Sequence, residues 1–304
     1  MFFKFFHNIC AGVVKTDFRT DLAIEKKEDL SAGELPGVKS EQSVSGDARI
    51  TRITVLDSRG AESLGKPEGS YITVEIPPMT ERSPVGDELI ETVARELSSI
   101  LPPEGPILVA GLGNTDITPD AVGPLSAELV LATRHIGREL AESVGLGGLR
   151  PVCVFIPGVL GKTGVETAEL LRGVIDSVSP VAVIAVDALA ARRVSRLGNT
   201  VQLSDTGVIP GSGVGNARAA INRETVGVPV ISVGVPTVVD AGTLICDLTG
   251  EEHALDKRSS EMIITPREID LLVQRAAALI GLSIDKALQP QLSSGEIMML
   301  VGNG

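Results

Sequence analysis

The sequence predicts an α/β fold, a mostly parallel central sheet with helices on both faces and a small N-terminal β addition. Three observations point there. From about residue 107 onward, short and wholly apolar runs alternate with helical patterns, as strands covered on both faces do. The chain has 304 residues, 43% of them hydrophobic and 22% charged, enough apolar material for a sizeable core. Gly-rich or acidic segments follow the apolar runs, at the strand ends where open α/β sheets collect ligands.

Along the chain, Met1-Phe2-Phe3-Lys4-Phe5-Phe6 superficially resembles a secretion signal. His7 and Asn8 break its apolar run and no small-residue cleavage site follows, so it is not read as one. Residues 26 to 49 are rich in Lys, Glu, Ser and Gly without period and read as a solvated loop. Ile50–Leu56 and Ser70–Ile76 carry alternating β-branched residues around the turn Gly65-Lys66-Pro67-Glu68-Gly69, which predicts an antiparallel pair. Val85, Leu89, Ile90, Val93, Leu97 and Ile100 fall at three and four spacings and predict a helix to about Leu101. Strands are expected at 107–110, 152–156, 181–186 and 229–233, with helices near 120–140, 164–178 and 214–226 between them, as parallel crossovers require. The last helix carries a start signal in Thr265-Pro266-Arg267-Glu268, with Thr as cap and Pro first.

Net charge of -12 and an isoelectric point near 4.8 give a field that repels phosphate backbones, so direct nucleic-acid binding is disfavoured. No segment has about 18 uninterrupted apolar residues, so no membrane span is expected. Three separated cysteines make neither a disulfide framework nor a paired zinc motif, and suggest a reducing, cytoplasmic setting. The three histidines are scattered, so neither a metal site nor another cofactor is predicted.

The candidate chemistry sits in the segments that follow the strands. Gly111-Leu112-Gly113-Asn114-Thr115-Asp116 follows the first apolar run, but Asp116 stands where a dinucleotide fingerprint needs its third glycine. Asp120 falls in the first turn of a helix opening at Thr118-Pro119, where a carboxylate either complements the dipole or acts on a ligand. Asp187 ends the apolar run 181–186. It is either a cap for a helix at Ala188–Ala191 or a general acid with a raised pKa. Ser204–Asn216, with Asp205, Gly211 and Gly213, and Gly234–Ala241, with Asp240, can present backbone N–H groups to a peptide or oxyanion. Turns between strand and helix use the same residues, so Asp205 and Asp240 are reserve candidates read first as structural.

Taken together, Arg19–Glu25, Gly69–Glu75, Gly111–Pro124, Ile156–Gly161, Asp187–Arg192, Ser204–Asn216, Gly234–Ala241 and Ile264–Asp270 resemble, in order, the germination protease family of spore-forming bacteria. These are atypical aspartic endopeptidases that degrade small acid-soluble spore proteins at germination. The resemblance implies that Asp120 and Asp187 are the essential carboxylates; the loops at the sheet rim, with Gly113, Asn114, Asp205, Gly211, Gly213 and Asp240, are where substrate is expected to bind. It also implies a zymogen that removes its own propeptide, residues 1–21, by cutting between Asp21 and Leu22, and leaves 22–304 as one catalytic domain. A homotetramer in the spore-core cytoplasm, free of membrane and nucleic acid, is the implied setting. At fold level the family resembles hydrogenase-maturation endopeptidases, so the alternative activity is a metal-dependent maturation protease. A non-catalytic peptide- or phosphate-binding module is the other. Two carboxyls work on an amide when one is ionised and the other protonated. Asp120, at a helix terminus, is assigned the charge and Asp187, beside an apolar strand, the proton.

Overall fold

The computed structural model describes residues 20–30, 35–80, 85–136, 147–215, 218–249 and 262–301. In chain order its elements are α1 (Ala23–Asp29), β1 (Val38–Ser45), β2 (Ala48–Val55), α2 (Ser58–Leu64), β3 (Gly69–Glu75), α3 (Asp87–Ser98), β4 (Ile107–Gly111), a 3-10 turn (Thr118–Asp120), α4 (Val122–Glu128) and β5 (Val152–Phe155). There follow α5 (Leu160–Thr163), α6 (Thr167–Val178), β6 (Ala182–Ala191), β7 (Thr200–Ser204), α7 (Arg223–Val226), β8 (Val230–Asp240), α8 (Ala241–Thr249), β9 (Ile263–Ile264), α9 (Ile269–Leu288) and α10 (Ser294–Val301).

The described strands make one sheet in the order β1-β2-β3-β7-β8-β6-β4-β5, with β9 paired to β8. The four apolar runs are neighbours and parallel: β5 on β4, β4 on β6, β6 on β8. The β2–β3 pair is antiparallel as expected, and it joins the same sheet through the antiparallel strand β7. Side chains alternate along β6, and so do their surroundings. Ala182, Ile184 and Val186 pack with Leu272, Leu279 and Ile280 of α9 on one face. Val183 and Ala185 pack with Leu171 and Ile175 of α6 on the other. Farther along that second face, Leu189 and Ala191 join a separate cluster with Leu22, Ile53 and Tyr71. Asp187 therefore falls between two apolar clusters on one face.

Several expectations are corrected. The stretch 26–49 holds β1, missed because it is an edge strand whose side chains are mostly exposed and polar, without the apolar alternation that marks a half-buried strand. Ala188–Ala191 is strand rather than helix, since pairing with Val235–Val239 outweighs the helix preference of alanine. Of the helix expected near 120–140, the described residues hold α4 and a non-helical stretch 129–136, while 137–140 lie outside the described residues; near 214–226 the described residues hold a 3-10 turn, Ser212–Val214, and the single turn α7. The last helix starts at Ile269, and Thr265 does not cap it: its hydroxyl donates to the Thr237 carbonyl at 2.9 Å, tying β9 to β8. The region 241–262 opens with α8; residues 250–261 lie outside the described residues.

Near the end of α9, Asp285 is wholly buried and accepts from Leu131 N–H through both oxygens, at 3.0 and 3.2 Å. Burial pushes its carboxyl up to about 7, only partly opposed by that N–H. Between the unfolded value, roughly 4, and 7 the folded chain holds a proton that the unfolded chain releases, so this contribution to stability is lost as pH rises. Asp285→Asn keeps an acceptor for Leu131 and removes the titration. Its stability relative to the parent is expected to improve with pH across that window, by on the order of 1 kcal/mol per unit. Urea unfolding at several pH values checks this, and a pH-independent difference would contradict it.

Candidate active site

β6 outruns β4: their last paired residues are Gly111 and Val186, and β6 continues to Ala191. Backbone groups beyond that point need other partners. Ala188 N–H donates to Oδ1 of Asp187 at 3.0 Å, and Ala190 N–H donates to Oδ2 of Asp21 at 2.9 Å. Ala190 O accepts from Asp21 N–H at 3.0 Å. The N–H groups of Arg192 and Arg193 go to the carboxylate of Glu25, which also accepts from the Thr20 hydroxyl. The segment Thr20–Glu25 is thus docked along the exit of β6, with Leu22, Ala23 and Ile24 sunk in the apolar cluster beside it.

Asp187 is a buried carboxyl mid-strand. Its pKa is raised well above the ordinary carboxylate value, first by burial, then by the charges of Asp120 and Asp21, against one N–H from Ala188. Asp120 reaches the same neighbourhood from the 3-10 turn, which packs against β6 and β8. Its Oδ2 accepts from Asn114 N–H at 2.8 Å. Gly113 has φ +122° and a Cβ there would lie 2.0 Å from the Asp120 carbonyl, so the turn closes only over glycine. The helix-terminus argument for Asp120 is corrected: α4 begins two residues later, and burial raises the Asp120 carboxyl as well, the Asn114 N–H only partly offsetting it. The contrast with Asp187 is one of degree, set by Asp187's deeper burial and its two acidic neighbours.

A cavity of about 140 Å³ opens beside Asp187, lined also by Asp21, Lys66, Leu189, Gln202 and Ser212. Asp120 is not in its wall. The Asp21 carboxylate is held there by Ala190 N–H and by the Ser212 hydroxyl, at 2.7 Å from Oδ1. A Cβ on Gly213 would sit 2.3 Å from Asp21 Oδ2, so glycine makes the room for that carboxylate. A larger cavity, about 350 Å³ between Pro77 and Arg275, contains none of the candidate site residues.

Asp21, Asp120, Asp187, Gly113, Asn114 and Gly213 therefore converge, while Asp205 and Asp240 do not join them. Asp205 accepts from Ser70 N–H at 2.7 Å and braces the β3–β7 pair; Asp240 accepts from Thr243 N–H at 3.1 Å and caps α8. Gly211, at φ +73°, turns the chain into the 3-10 segment that carries Ser212. Lys66, Gln202 and Ser212 were missed: a lysine in a turn, a glutamine in a five-residue strand and a serine outside any nucleophile motif give no pattern to find. Among the described residues, no three His, Cys, Asp or Glu side chains are grouped to hold a metal ion, and no helix is long and apolar enough to cross a membrane.

The family model described as germination protease matches residues 17–250. The chain belongs to the germination protease family. It is 41% identical to the germination protease of Caldanaerobacter subterraneus subsp. tengcongensis, over 95% of this chain and 99% of that protein. It is 44% identical to that of Bacillus subtilis, over 75% of this chain and 65% of the relative. Among solved structures, a NiFe hydrogenase maturation protease from Thermococcus kodakarensis matches 62% of this chain at 18% identity and a TM-score of 0.33. Membership makes the chain a peptidase of spore germination.

Proposed function

We propose that this family member is a self-processing aspartic-type endopeptidase that cleaves its own Asp21–Leu22 bond and then small acid-soluble spore proteins in the spore-core cytoplasm. The observation that carries the reading is the seating of Asp21: it lines the same cavity as Asp187 with its carboxylate held by the Ser212 hydroxyl, and the next residue, Leu22, is fully buried. A peptide bond flanked by an anchored acid and an anchored apolar residue is held in one geometry at the cavity that Asp187 also lines, which is the positioning cleavage requires.

The proton inventory follows from the two environments. Asp120, less buried and facing an N–H, takes a proton from water as its oxygen attacks the carbonyl carbon. Asp187, held protonated by burial and by its acidic neighbours, gives its proton to the departing Leu22 nitrogen as the C–N bond breaks. The step leaves Asp120 protonated and Asp187 ionised, and exchange with solvent resets the pair. The family resemblance adds a homotetramer and a propeptide of residues 1–21; the apolar start, Met1–Val14, is proposed to pack near the crevice and lies outside the described residues.

The test incubates the purified full chain, alone and with an acid-soluble spore protein, with intact-mass readout of both. Loss of residues 1–21 and fragmentation of the spore protein are expected, and both persist in excess chelator because no step uses a metal. Activity abolished by chelator and restored by a divalent ion would instead favour the metal-dependent alternative.

A further inference from the structure

Two residues outside the acidic pair meet the bond between Asp21 and Leu22. Lys66 Nζ donates to the Asp21 carbonyl at 2.8 Å, and Gln202 Nε2 donates to the same oxygen at 3.0 Å. The other end of the Gln202 amide accepts from Ala23 N–H at 2.8 Å, so this one side chain spans the peptide on both sides of Leu22. We propose that Lys66 and Gln202 form the oxyanion hole of the peptidase, polarising the scissile carbonyl and holding the charge that develops on its oxygen. The inference rests on the proposed cleavage at Asp21–Leu22.

Both groups are built into the fold. Gln202 on β7 pairs with Gly234 on β8, and Gly234 pairs with Asp187 on β6, which puts the amide and the carboxyl in one row across three strands. The residue between them is glycine. A Cβ on Gly234 would lie 2.6 Å from the Leu189 side chain, so the row leaves space only because that position is bare. Lys66 is delivered by the end of α2: Gly65 adopts φ +64° and closes the helix by donating to Ala61 O, and the Tyr71 hydroxyl donates to Pro67 O at 2.9 Å. The charges facing the ammonium are Asp21, which favours its protonated form, and Lys26, which opposes it; burial is the largest influence and disfavours the charge. A cation so placed gains most when its neighbour becomes an oxyanion.

The assignment divides the chemistry. In the tetrahedral intermediate the carbonyl oxygen carries the negative charge against Lys66 and Gln202, water's proton is on Asp120, and the Asp187 proton is free for the nitrogen. When the intermediate collapses, the C=O bond re-forms, the C–N bond breaks and the nitrogen takes that proton. Atoms and charge balance with no additional reactant.

The experiment measures kcat and KM of the full-length protein on a synthetic peptide with the sequence of residues 15–28. Lys66→Met and Gln202→Glu, the second nearly isosteric but placing a carboxylate against the oxyanion, are each expected to lower kcat by about 10²- to 10³-fold with little change in KM. Lys66→Arg is expected to recover part of the loss, and thermal unfolding checks that every variant is folded. Parental kcat in either variant, or a loss confined to KM, overturns the inference while leaving the acidic pair intact. Peptide hydrolysis that survives in Asp187→Asn, or a parent that leaves the peptide uncut, overturns the cleavage reading and this inference with it.

Discussion

Asp187→Asn is expected to lower peptide-bond cleavage by about 10³-fold or more while leaving the chain at least as stable at neutral pH. The amide matches the carboxyl in shape and keeps an acceptor for Ala188 N–H, but it has no acidic proton for the leaving nitrogen. Stability moves the other way for a reason of sign. The folded-state pKa of Asp187 is raised, so above its unfolded value, roughly 4, folding must either bury a charge or retain a proton, and both cost stability that a neutral amide does not. An inactivated variant with an undiminished melting temperature separates a chemical role from a structural one. Asp120→Asn should also inactivate, through loss of the base. In the parent, activity should fail at low pH as Asp120 protonates and at high pH as Asp187 ionises. Both limbs should be displaced upward from where exposed aspartates titrate, the Asp187 limb the more, because burial raises both groups. More than about a tenth of parental kcat in Asp187→Asn would end the acid assignment, since a general acid contributes roughly 10²- to 10⁴-fold.

The sheet was readable where burial is two-sided, because strands such as Ile107–Gly111 and Ala182–Val186 have no polar positions to blur them. The edge was not. β1 exposes most of its side chains and is held by pairing with β2, a long-range effect that composition does not record. Likewise Ala188–Ala191 carries a helical local preference that the β8 ladder overrides, and that ladder is what places Asp187 mid-strand between two apolar clusters. Asp120, Asp187 and Asp21 could be picked out because a carboxylate beside an apolar run, or inside a family motif, is conspicuous. Lys66 and Gln202 could not. Their placement depends on the β3–β7–β8 register and on how α2 ends, so two donors to one oxygen come from positions as distant as 66 and 202. Asp205 and Asp240 show why acidic loop residues are read first as structural: such side chains satisfy backbone N–H groups as readily as they serve chemistry, and these two accept from Ser70 and Thr243.

Gly213→Ala is the second large effect, with the first-order loss of residues 1–21 expected to slow by about 10²- to 10⁴-fold. A Cβ at 213 would lie 2.3 Å from Asp21 Oδ2 and 2.5 Å from the Ala190 Cβ, and the first of these is a side-chain end already tied down by two hydrogen bonds. Ala190 is fixed in β6, so the movable party is the Asp21 carboxylate. Displacing it breaks the bonds from Ala190 N–H and the Ser212 hydroxyl, each charge-assisted and worth roughly 1.5–3 kcal/mol. Together they account for about 3–6 kcal/mol of positioning, and a barrier raised by that much gives the stated range. Gly173→Ala, in a site with open space around the glycine, should leave the rate unchanged and serves as the control. Ser212→Ala removes one of the two bonds without a clash and should fall between parent and Gly213→Ala. Intact-mass time courses on the folded variants read all three rates. A Gly213→Ala chain that sheds residues 1–21 within threefold of the parental rate would mean that the Asp21 carboxylate is not what holds the bond in place.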